Sequence, residues 1–486
     1  KPQYGSEADL TNALDALRRA FPDDNIVSTD EGERLSYALG VAYPPPGTLA
    51  FITPHRVVVH ARSTEDVVTV VNISRKFRIP VVPYTGGTGL EKGIEGLKSG
   101  TICIDLSGMD RILEINEANA DVVVQAGVSW NVLNDTLKEK GIPLFFPLDP
   151  GLGATIGGMI STGCSGTNAM RYGTARGEWI LNMTVVLPSG KVIKTRQRAR
   201  KSSAGFDLGK LFVGAEGTLG IITEATIRLA PILPTTVAVV QFPSVRHATE
   251  AACEVLNLGA PIQCVELLDS NFLRVLSTSP LRSTSSRGVQ DTLYIKIQGA
   301  PSLPSAPSAD IDAQMLATST LMEHVMKKHG ATGYQLAKDR NEAEALWAER
   351  RSALFVLTGY AQERGLVGYG MDVCVPVSKL PDLVDVAKRE FERAGLFGPI
   401  LGHVGDGNFH AFLTYKDEED LKRVHAVADK IVETAIALEG TCTGEHGVGT
   451  GKKKYFNSEL GAETVKTMKG IKATLDPLGL FNPGKV

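Results

Sequence analysis

The pattern of apolar and polar positions changes character along the chain. Residues 6–39 show helical spacing of apolar positions, as in "LTNALDALRRAF", where Leu10, Leu14 and Leu17 recur every three or four residues. From about residue 52 to 232, short β-rich runs alternate with helical stretches and are separated by glycine-dense loops. This region predicts an α+β or α/β lobe.

A proline-rich stretch, "LAPILPTT" at 229–236, predicts the boundary of this lobe, because proline ends helices and removes ladder hydrogen bonds. Beyond it, strand candidates such as "VAVVQF", "LYIKIQG", "MDVCVPV" and "PILGHV" are interspersed with four helical stretches. A proline run at 44–46 is expected to stop any helix. Two Ser/Pro-rich segments, 277–290 and 300–310, predict mobile surface loops.

Length and charge narrow the class of protein. A chain of 486 residues exceeds what one hydrophobic core organises, so two or more lobes are expected. The net charge of -3 gives no general attraction to nucleic acid or anionic membranes. No apolar run approaches the roughly 18 residues of a membrane-spanning helix. The six scattered cysteines form no CxxC pair, which argues against a zinc-thiolate site or a disulfide framework.

Three glycine-rich segments in the first lobe suggest a phosphate-binding role. They are "YTGGTGLEKG" (84–93), "DPGLGATIGGMISTGCSGTNAMRYG" (149–173) and "GAEGTLGIITE" (214–224). The first has GxGxxxG spacing, which departs from the dinucleotide fingerprint, and no Lys-Ser/Thr follows it as in a P-loop. Closely spaced glycines let backbone N–H groups converge on an anion. Together the segments predict a long, polyphosphorylated ligand that lies across several loops.

In these three motifs the chain resembles the flavoproteins of the vanillyl-alcohol oxidase and para-cresol methylhydroxylase family. The resemblance implies FAD. Some relatives attach the flavin covalently to a His or Cys. None of the three loops contains a histidine, and Cys164 lies in the second loop; we expect FAD to be held noncovalently. The resemblance also implies a set of FAD-binding residues: Thr85, Gly86, Gly87, Thr88, Gly89, Leu90, Pro150, Gly153, Ala154, Thr155, Gly158, Ser161, Gly163, Asn168, Tyr172, Gly173, Glu216, Gly217, Ile222 and Asn482.

The stretch "HVGDGNFH" (403–410) predicts a β-hairpin with Asp406-Gly407 as a two-residue loop. This register places His403 directly opposite His410, with Asn408 on the same face. Opposed side chains are about 5 Å apart, so two imidazoles can converge on one ion. The alternative is that the histidines merely pack across the strands.

A nearby motif, "CTGEHGVGTGK" (442–452), offers Glu445 as a third metal ligand. Two histidines and one carboxylate leave positions open for a substrate, and zinc and manganese both remain possible. His446 is then a candidate general base for an alcohol proton. The alternative is that His446 only caps a loop.

"HVGDGNFH", "GTCTGEHGVG" and the terminal "LDPLGLFNPGKV" resemble a narrower branch, the FAD-dependent D-2-hydroxy acid dehydrogenases. The resemblance implies that His403, His410 and Glu445 bind the metal and that His446 is the base. An arginine would bind the substrate carboxylate; Arg350 in "LWAERRSALF" matches best and Arg351 is the alternative. Asn408 would orient the substrate.

The resemblance also implies an α+β fold with a two-subdomain FAD-binding lobe and a substrate lobe built on an antiparallel sheet with flanking helices. The expected bounds are 1–45 for an N-terminal helical segment, 46–232 for the FAD-binding domain and 233–440 for the substrate and metal domain. Residues 441–486 are expected to return to the flavin site.

The implied reaction is oxidation of a D-2-hydroxy acid to the 2-oxo acid, with D-lactate as the expected substrate. His446 takes the hydroxyl proton, FAD accepts the hydride, and electrons pass to an acceptor such as cytochrome c. A mitochondrial location is implied as well, and no nucleic acid partner is expected. D-2-hydroxyglutarate is the alternative substrate, but relatives that use it have a lysine where this chain has Gly370. A non-catalytic flavin- or metal-binding protein is the alternative of a different class.

Overall fold

The computed structural model describes residues 2–39, 52–279, 288–301 and 311–486. The proline run at 44–46 and most of the two Ser/Pro-rich segments lie outside these ranges. The chain forms two compact units. Unit 1 contains the described residues of 1–166, 173–231 and 445–486, and unit 2 contains those of 167–172 and 232–444.

The helices and strands of both units are numbered along the chain. The helices are α1 (Glu7–Ala20), α2 (Glu31–Leu39), α3 (Thr64–Phe77), α4 (Trp130–Glu139), α5 (Ile156–Thr162), α6 (Ala169–Tyr172), α7 (Leu208–Phe212), α8 (Val245–Asn257), α9 (Ser270–Ser277), α10 (Ala313–Lys328), α11 (Arg340–Arg351), α12 (Ala353–Glu363), α13 (Leu380–Ala394), α14 (Glu418–Ala437), α15 (Phe456–Leu460) and α16 (Ala462–Leu475). The strands are β1 (Val27–Ser28), β2 (Val57–His60), β3 (Val81–Tyr84), β4 (Ile102–Asp105), β5 (Ile112–Asn116), β6 (Asp121–Gln125), β7 (Leu144–Phe145), β8 (Ile180–Val186), β9 (Val192–Lys194), β10 (Ile221–Arg228), β11 (Ala230–Pro231), β12 (Thr235–Phe242), β13 (Ile262–Leu268), β14 (Asp291–Gln298), β15 (Gly333–Leu336), β16 (Val367–Cys374), β17 (Ile400–His403) and β18 (Asn408–Tyr415).

Unit 1 contains two principal sheets, as the two-subdomain prediction required. One has the order β1-β2-β4-β3, in which β2, β4 and β3 run parallel. The other is antiparallel, with the order β5-β6-β10-β8-β9. Each sheet has its own apolar core. A capping box formed by Ser63 and Asp66 fixes the start of α3, the helix between β2 and β3.

The N-terminal helix and the C-terminal residues both belong to unit 1. Leu10 and Leu17 of α1 lie in the same apolar cluster as Val57 and Ile102 of the parallel strands. Phe481 is fully buried and forms a parallel bridge with Val81. The helix predicted from the apolar spacing of Leu10, Leu14 and Leu17 therefore packs on this sheet and does not form a separate domain.

Unit 2 is built on a seven-stranded sheet in the order β15-β12-β14-β13-β17-β18-β16. Every neighbouring pair in it is antiparallel, which confirms the predicted antiparallel sheet with flanking helices. The central strand β13 is buried along its whole length, consistent with its near-continuous apolar sequence "IQCVELL". Within the described residues, no helix combines the length and the apolar character needed to cross a bilayer.

The short segment 167–172 departs from the expected domain bounds, because it belongs to unit 2. Gln263 Nε2 donates a 2.8 Å hydrogen bond to Asn168 Oδ1, and Gln298 Nε2 donates one of 3.3 Å to the Tyr172 hydroxyl. These bonds attach α6 to the buried strands β13 and β14. The end of the second glycine-rich segment is therefore part of the sheet unit.

Candidate functional site

The first glycine-rich loop leaves β3 through two consecutive residues in the left-handed region. Gly86 has a φ of 68° and Gly87 a φ of 62°, which glycine adopts without strain. A Cβ at residue 87 would also clash with the Tyr84 hydroxyl. Thr85 Oγ1 donates a 3.0 Å hydrogen bond to Thr155 Oγ1 at the start of α5. The first loop therefore lies directly against the second.

The third loop and the C-terminal residues meet the first loop as well. Glu216 adopts a φ of 49°, which is uncommon for a residue with a side chain. Asn482 Nδ2 donates to the Gly93 carbonyl at 3.0 Å and to the Glu216 carbonyl at 2.7 Å. The buried Oδ1 atom of Asn482 accepts no hydrogen bond from the described residues. Three loops predicted from sequence thus converge in unit 1. Backbone N–H groups of such glycine-rich loops fit an anion such as the pyrophosphate of FAD, whereas the buried Asn482 Oδ1 is an acceptor that fits a hydroxyl or N–H group of the cofactor.

The predicted FAD-binding residues lie in unit 1, with two exceptions. Asn168 and Tyr172 belong to unit 2, where they bond to sheet residues. Cys164 of the second loop is buried, and this burial raises the pKa of its thiol. A protonated thiol is a poor nucleophile. Noncovalent binding of FAD stays a prediction.

The predicted register of the "HVGDGNFH" hairpin is wrong. Residues Val404–Asp406 form a single 3-10 turn, Gly407 follows with a φ of 76°, and β18 begins at Asn408. The strands pair Leu401 with His410 and Ile400 with Ala411, so His410 is two residues out of the predicted opposition with His403. The turn takes up more residues than a two-residue loop because a 3-10 turn with a left-handed glycine closes it.

A shift of two residues keeps both histidines on the same face of the sheet, because side chains alternate with a period of two. Their ring centroids lie 5.3 Å apart, with the ring planes nearly perpendicular at 87°. Val404 and Phe409 are fully buried, as predicted for side chains on the opposite face. Diagonal neighbours therefore achieve the proximity that direct opposition was expected to give.

Each of the two histidines has a carboxylate on the neighbouring strand, which the sequence analysis did not identify. Glu266 on β13 lies opposite His403, and Asp372 on β16 lies opposite His410. His403 Nδ1 is 2.8 Å from Glu266 Oε1, and His410 Nδ1 is 3.8 Å from Asp372 Oδ1. Metal-binding histidines ordinarily have such a carboxylate on the second ring nitrogen. The sequence did contain a signal for Glu266, because a Glu within the apolar run "CVELL" needs a partner when it is buried.

The two residues predicted to bind the substrate, Arg350 and Asn408, are bonded to these same carboxylates. Arg350 is buried, and its Nη2 lies 2.6 Å from Glu266 Oε2. Asn408 Nδ2 donates to Asp372 Oδ1 at 2.7 Å and to the Val373 carbonyl at 2.9 Å. Arg351 is exposed at the end of α11. Unit 2 thus brings His403, His410, Asn408 and Arg350 into one network.

Unit 1 brings Glu445 and His446 to the cofactor loops. Ser165 Oγ donates a 2.6 Å hydrogen bond to Glu445 Oε2. His446 Nδ1 lies 3.8 Å from Glu91 Oε1 of the first loop. The side chain of His446 is 17% exposed, so the imidazole is partly shielded from water.

Comparisons with known proteins match both parts of the chain. A family model described as "FAD binding domain" matches residues 55–196, and one described as "FAD linked oxidases, C-terminal domain" matches residues 234–486. The chain is 37% identical to "Probable D-lactate dehydrogenase, mitochondrial" of Danio rerio, over 99% of this chain and 94% of that protein. It is 40% identical to "D-lactate dehydrogenase [cytochrome], mitochondrial" of Arabidopsis thaliana, over 88% of this chain and 73% of that protein.

Solved structures share the fold at lower identity. The structure of p-cresol methylhydroxylase with substrate bound superposes with a TM-score of 0.80 at 19% identity, over 100% of this chain and 98% of that one. This likeness confirms the predicted α+β flavoprotein fold. The chain is therefore a member of the FAD-linked oxidase family, with an FAD-binding domain followed by the family's C-terminal domain.

Proposed function

We propose that this protein is a flavin-dependent D-lactate dehydrogenase that oxidises D-lactate to pyruvate. The observation that carries the proposal is the position of Glu445 and His446, because their segment contacts the cofactor loops of unit 1. A proton acceptor held against flavin-binding loops suits oxidation of an alcohol. The choice of D-lactate rests on the names of the relatives that match at 37–40% identity.

FAD is the group that these loops are proposed to hold. Protein side chains cannot accept a hydride, so bound FAD supplies this acceptor. The residues proposed to bind it noncovalently are those implied by the family resemblance, from Thr85–Leu90 in the first loop to Asn482. The hydrogen bonds from Asn482 to the first and third loops support the proposal.

His446 is proposed to take the hydroxyl proton of the substrate. A neutral imidazole has a free ring nitrogen lone pair and an affinity for protons suited to neutral pH. The nearby Glu91 carboxylate suits an imidazole that becomes positively charged after the proton transfer.

His403, His410 and Glu445 are proposed to bind one divalent metal ion, zinc or manganese. The support in unit 2 is the pair of histidines: His403 Nδ1 is hydrogen-bonded to Glu266 at 2.8 Å, and His410 Nδ1 lies 3.8 Å from Asp372. A Cβ at Gly444 would clash with the Asn408 amide, so residue 444 lies directly against this network. Glu445 is the next residue, and consecutive Cα atoms are about 3.8 Å apart. A bound divalent ion acidifies a coordinated hydroxyl group.

Arg350 and Asn408 are proposed to contact the substrate. The Arg350 ion pair uses Nε and Nη2, and a guanidinium has five N–H donors in total, so a substrate carboxylate can bind the remaining edge. Asn408 would use its buried Oδ1, which accepts no hydrogen bond from the part of the chain that the structure describes. Arg351 stays the alternative carboxylate anchor.

We further propose a cytochrome-type electron acceptor and a mitochondrial location, both supported by the relatives' names. D-2-hydroxyglutarate is the alternative substrate. The position where relatives that use it have a lysine is Gly370 in this chain, and it is exposed on β16.

An anaerobic panel of D- and L-2-hydroxy acids, with and without a metal chelator, tests the proposal. D-lactate is expected to bleach the visible absorbance of the oxidised flavin rapidly, and the chelator to suppress the bleaching. D-2-hydroxyglutarate and L-lactate are expected to react much more slowly. Rapid reduction by D-2-hydroxyglutarate alone would select the alternative substrate, and no reduction by any acid would reject the enzyme class.

A further inference from the structure

Residues 445–452, here called the base segment, contact all three cofactor loops of unit 1. The segment carries both Glu445 and His446 and has no regular secondary structure. Such a glycine-rich stretch has many accessible conformations, so its shape depends on what holds it. Three side chains from the cofactor loops do so.

Glu91 of the first loop holds the segment through both its backbone and its carboxylate. Its carbonyl oxygen accepts hydrogen bonds from Thr450 N at 3.1 Å and Gly451 N at 3.3 Å. Its carboxylate lies 3.2 Å from Lys452 Nζ and 3.8 Å from His446 Nδ1. Both the Glu91 and the Lys452 side chains are nearly buried, so this ion pair is shielded from solvent. Removing one partner of such a buried pair leaves an uncompensated charge, which is strongly destabilising.

Glu216 of the third loop holds the centre of the segment. Its Oε1 accepts a 2.7 Å hydrogen bond from Val448 N, and its Oε2 accepts one of 2.9 Å from Gly449 N. These two backbone N–H groups therefore take one carboxylate oxygen each. Bonds of this kind to an ionised acceptor are about twice as strong as neutral ones.

Ser165 of the second loop holds the start of the segment through the 2.6 Å bond from its hydroxyl to Glu445 Oε2. This bond orients the Glu445 carboxylate, while Glu216 and Glu91 fix the backbone on the far side of His446. The imidazole is thus anchored on both sides along the chain.

We propose that Glu91, Ser165 and Glu216 are positioning residues that hold the base segment, and with it His446, against the cofactor loops. The Glu216 carboxylate then serves the base segment, beyond the cofactor-binding role implied by the family resemblance. The proposal rests on the proposed function only in taking His446 as the base. A displacement of about 1 Å in such a group can cost about a hundredfold in rate.

Glu216→Gln is the informative variant, because an amide keeps one acceptor oxygen but turns an NH₂ group towards a backbone N–H. Glu224→Gln is the matched control, since Glu224 lies on β10 and accepts a hydrogen bond from Thr184 Oγ1. Ser165→Ala provides a milder variant that removes a single hydroxyl group. All three are compared with the native FAD-loaded protein.

Hydrogen exchange of the base-segment amides is the first measurement, and the limiting rate of flavin reduction at saturating D-lactate is the second. In Glu216→Gln, exchange at Val448 and Gly449 should rise by about tenfold or more. The Thr450 amide should change less, because its acceptor is the Glu91 backbone. The limiting reduction rate of the FAD-saturated protein should fall by about tenfold or more in this variant and less in Ser165→Ala, with the dissociation constant of D-lactate little changed.

Unchanged exchange at Val448 and Gly449 in Glu216→Gln would overturn the proposal. So would faster exchange without a loss of reduction rate, or an equal loss in Glu224→Gln. If the native protein is not reduced by D-lactate, the proposed function fails by itself, and the exchange measurement still decides whether Glu216 holds the segment.

Discussion

At the scale of single residues, Glu266 joins two residues of the candidate site, Arg350 and His403. It is 1% exposed and accepts from Arg350 Nε and Nη2 through Oε2, while His403 Nδ1 lies within hydrogen-bond distance of its carboxylate. With a hydrogen-bond acceptor at Nδ1, Nε2 is the ring nitrogen of His403 that would bind a metal. A buried carboxylate within an apolar strand is thus explained by the two groups that it holds.

Replacing Glu266 with Gln should destabilise the protein more than any exposed charge substitution. The neutral amide leaves the buried Arg350 guanidinium without its counter-charge, and breaking a buried ion pair in this way costs about 3 kcal/mol. The free energy of unfolding, or the thermal midpoint of the FAD-loaded protein, measures the loss. Asp382→Asn is the control, because Asp382 pairs with Arg246 at the surface, where such pairs contribute about 0–1 kcal/mol. Equal losses in the two variants would show that Glu266 does not hold a buried charge.

At the scale of elements, the sequence predicted β12, β14, β16 and β17 but neither the central strand β13 nor the way in which β17 and β18 pair. The motif "DG" predicted a two-residue turn, whereas Val404–Asp406 take a 3-10 turn and the register moves by two residues. Because the register moves by an even number of residues, each side chain stays on its predicted face of the sheet. His403 and His410 are therefore still close together. Local turn chemistry could not reveal the register, because β13 and β16 pair with these strands from distant parts of the sequence.

The turn between β17 and β18 depends on Gly407. Its φ of 76° disfavours any side chain, and a Cβ there would clash with the Val375 carbonyl. Gly407→Ala should therefore lower the thermal midpoint and the content of bound zinc or manganese after dialysis, by strain of about 1 kcal/mol and the added clash. Gly395→Ala is the matched control, since Gly395 has a φ of 65° with open space at its Cβ position. A smaller effect of Gly407→Ala than of Gly395→Ala would contradict this account of the turn.

Helix α2 is attached to the parallel sheet by a titrating side chain. His60 at the end of β2 has Nδ1 2.8 Å from Asp105 Oδ2 and Nε2 3.0 Å from Glu33 Oε1 of α2. Tyr37 of α2 donates a 3.0 Å hydrogen bond to the same Asp105 oxygen. The hydrogen bond to Asp105 raises the pKa of His60 above its ordinary value.

A raised pKa in the folded state means that protonated His60 stabilises the fold. This contribution is fully present below the unfolded pKa of about 6.5 and is lost as the pH rises through the raised folded pKa. His60→Gln should therefore lose more stability, relative to the native protein, below about pH 6.5 than at alkaline pH. Denaturant titrations at both pH values measure this difference, and a pH-independent difference would show that His60 does not carry the charge.

At the scale of the whole molecule, the sequence predicted the three glycine-rich loops because their signals are local, and the family resemblance carried by these motifs implied the α+β fold. Glycine spacing and apolar periodicity can be seen within a single motif. The assignment of residues 167–172 to unit 2 could not be seen in this way, because it depends on bonds from Gln263 and Gln298 almost a hundred residues or more away. The pairing of Glu266 with Arg350 could not be seen either, because it joins strand β13 to helix α11 across a long stretch of sequence.

The motif "CTGEHGVGTGK" spans the boundary between the two discontinuous units. Thr443 donates a 2.9 Å hydrogen bond to Asp372 in unit 2, while Glu445 and the residues after it belong to unit 1. One short stretch thus supplies contacts to both networks that the proposed reaction requires. The substrate chemistry is a property of the whole chain rather than of one motif.

Anaerobic stopped-flow reduction of the FAD-loaded protein by D-lactate, in the native form and in His446→Asn, tests the central claim most directly. The account predicts rapid bleaching of the native flavin and a loss of about a hundredfold or more in the variant, with FAD still bound. Reduction of the variant at a near-native rate would contradict the role of His446. A native flavin that D-lactate does not reduce would contradict the proposed function itself.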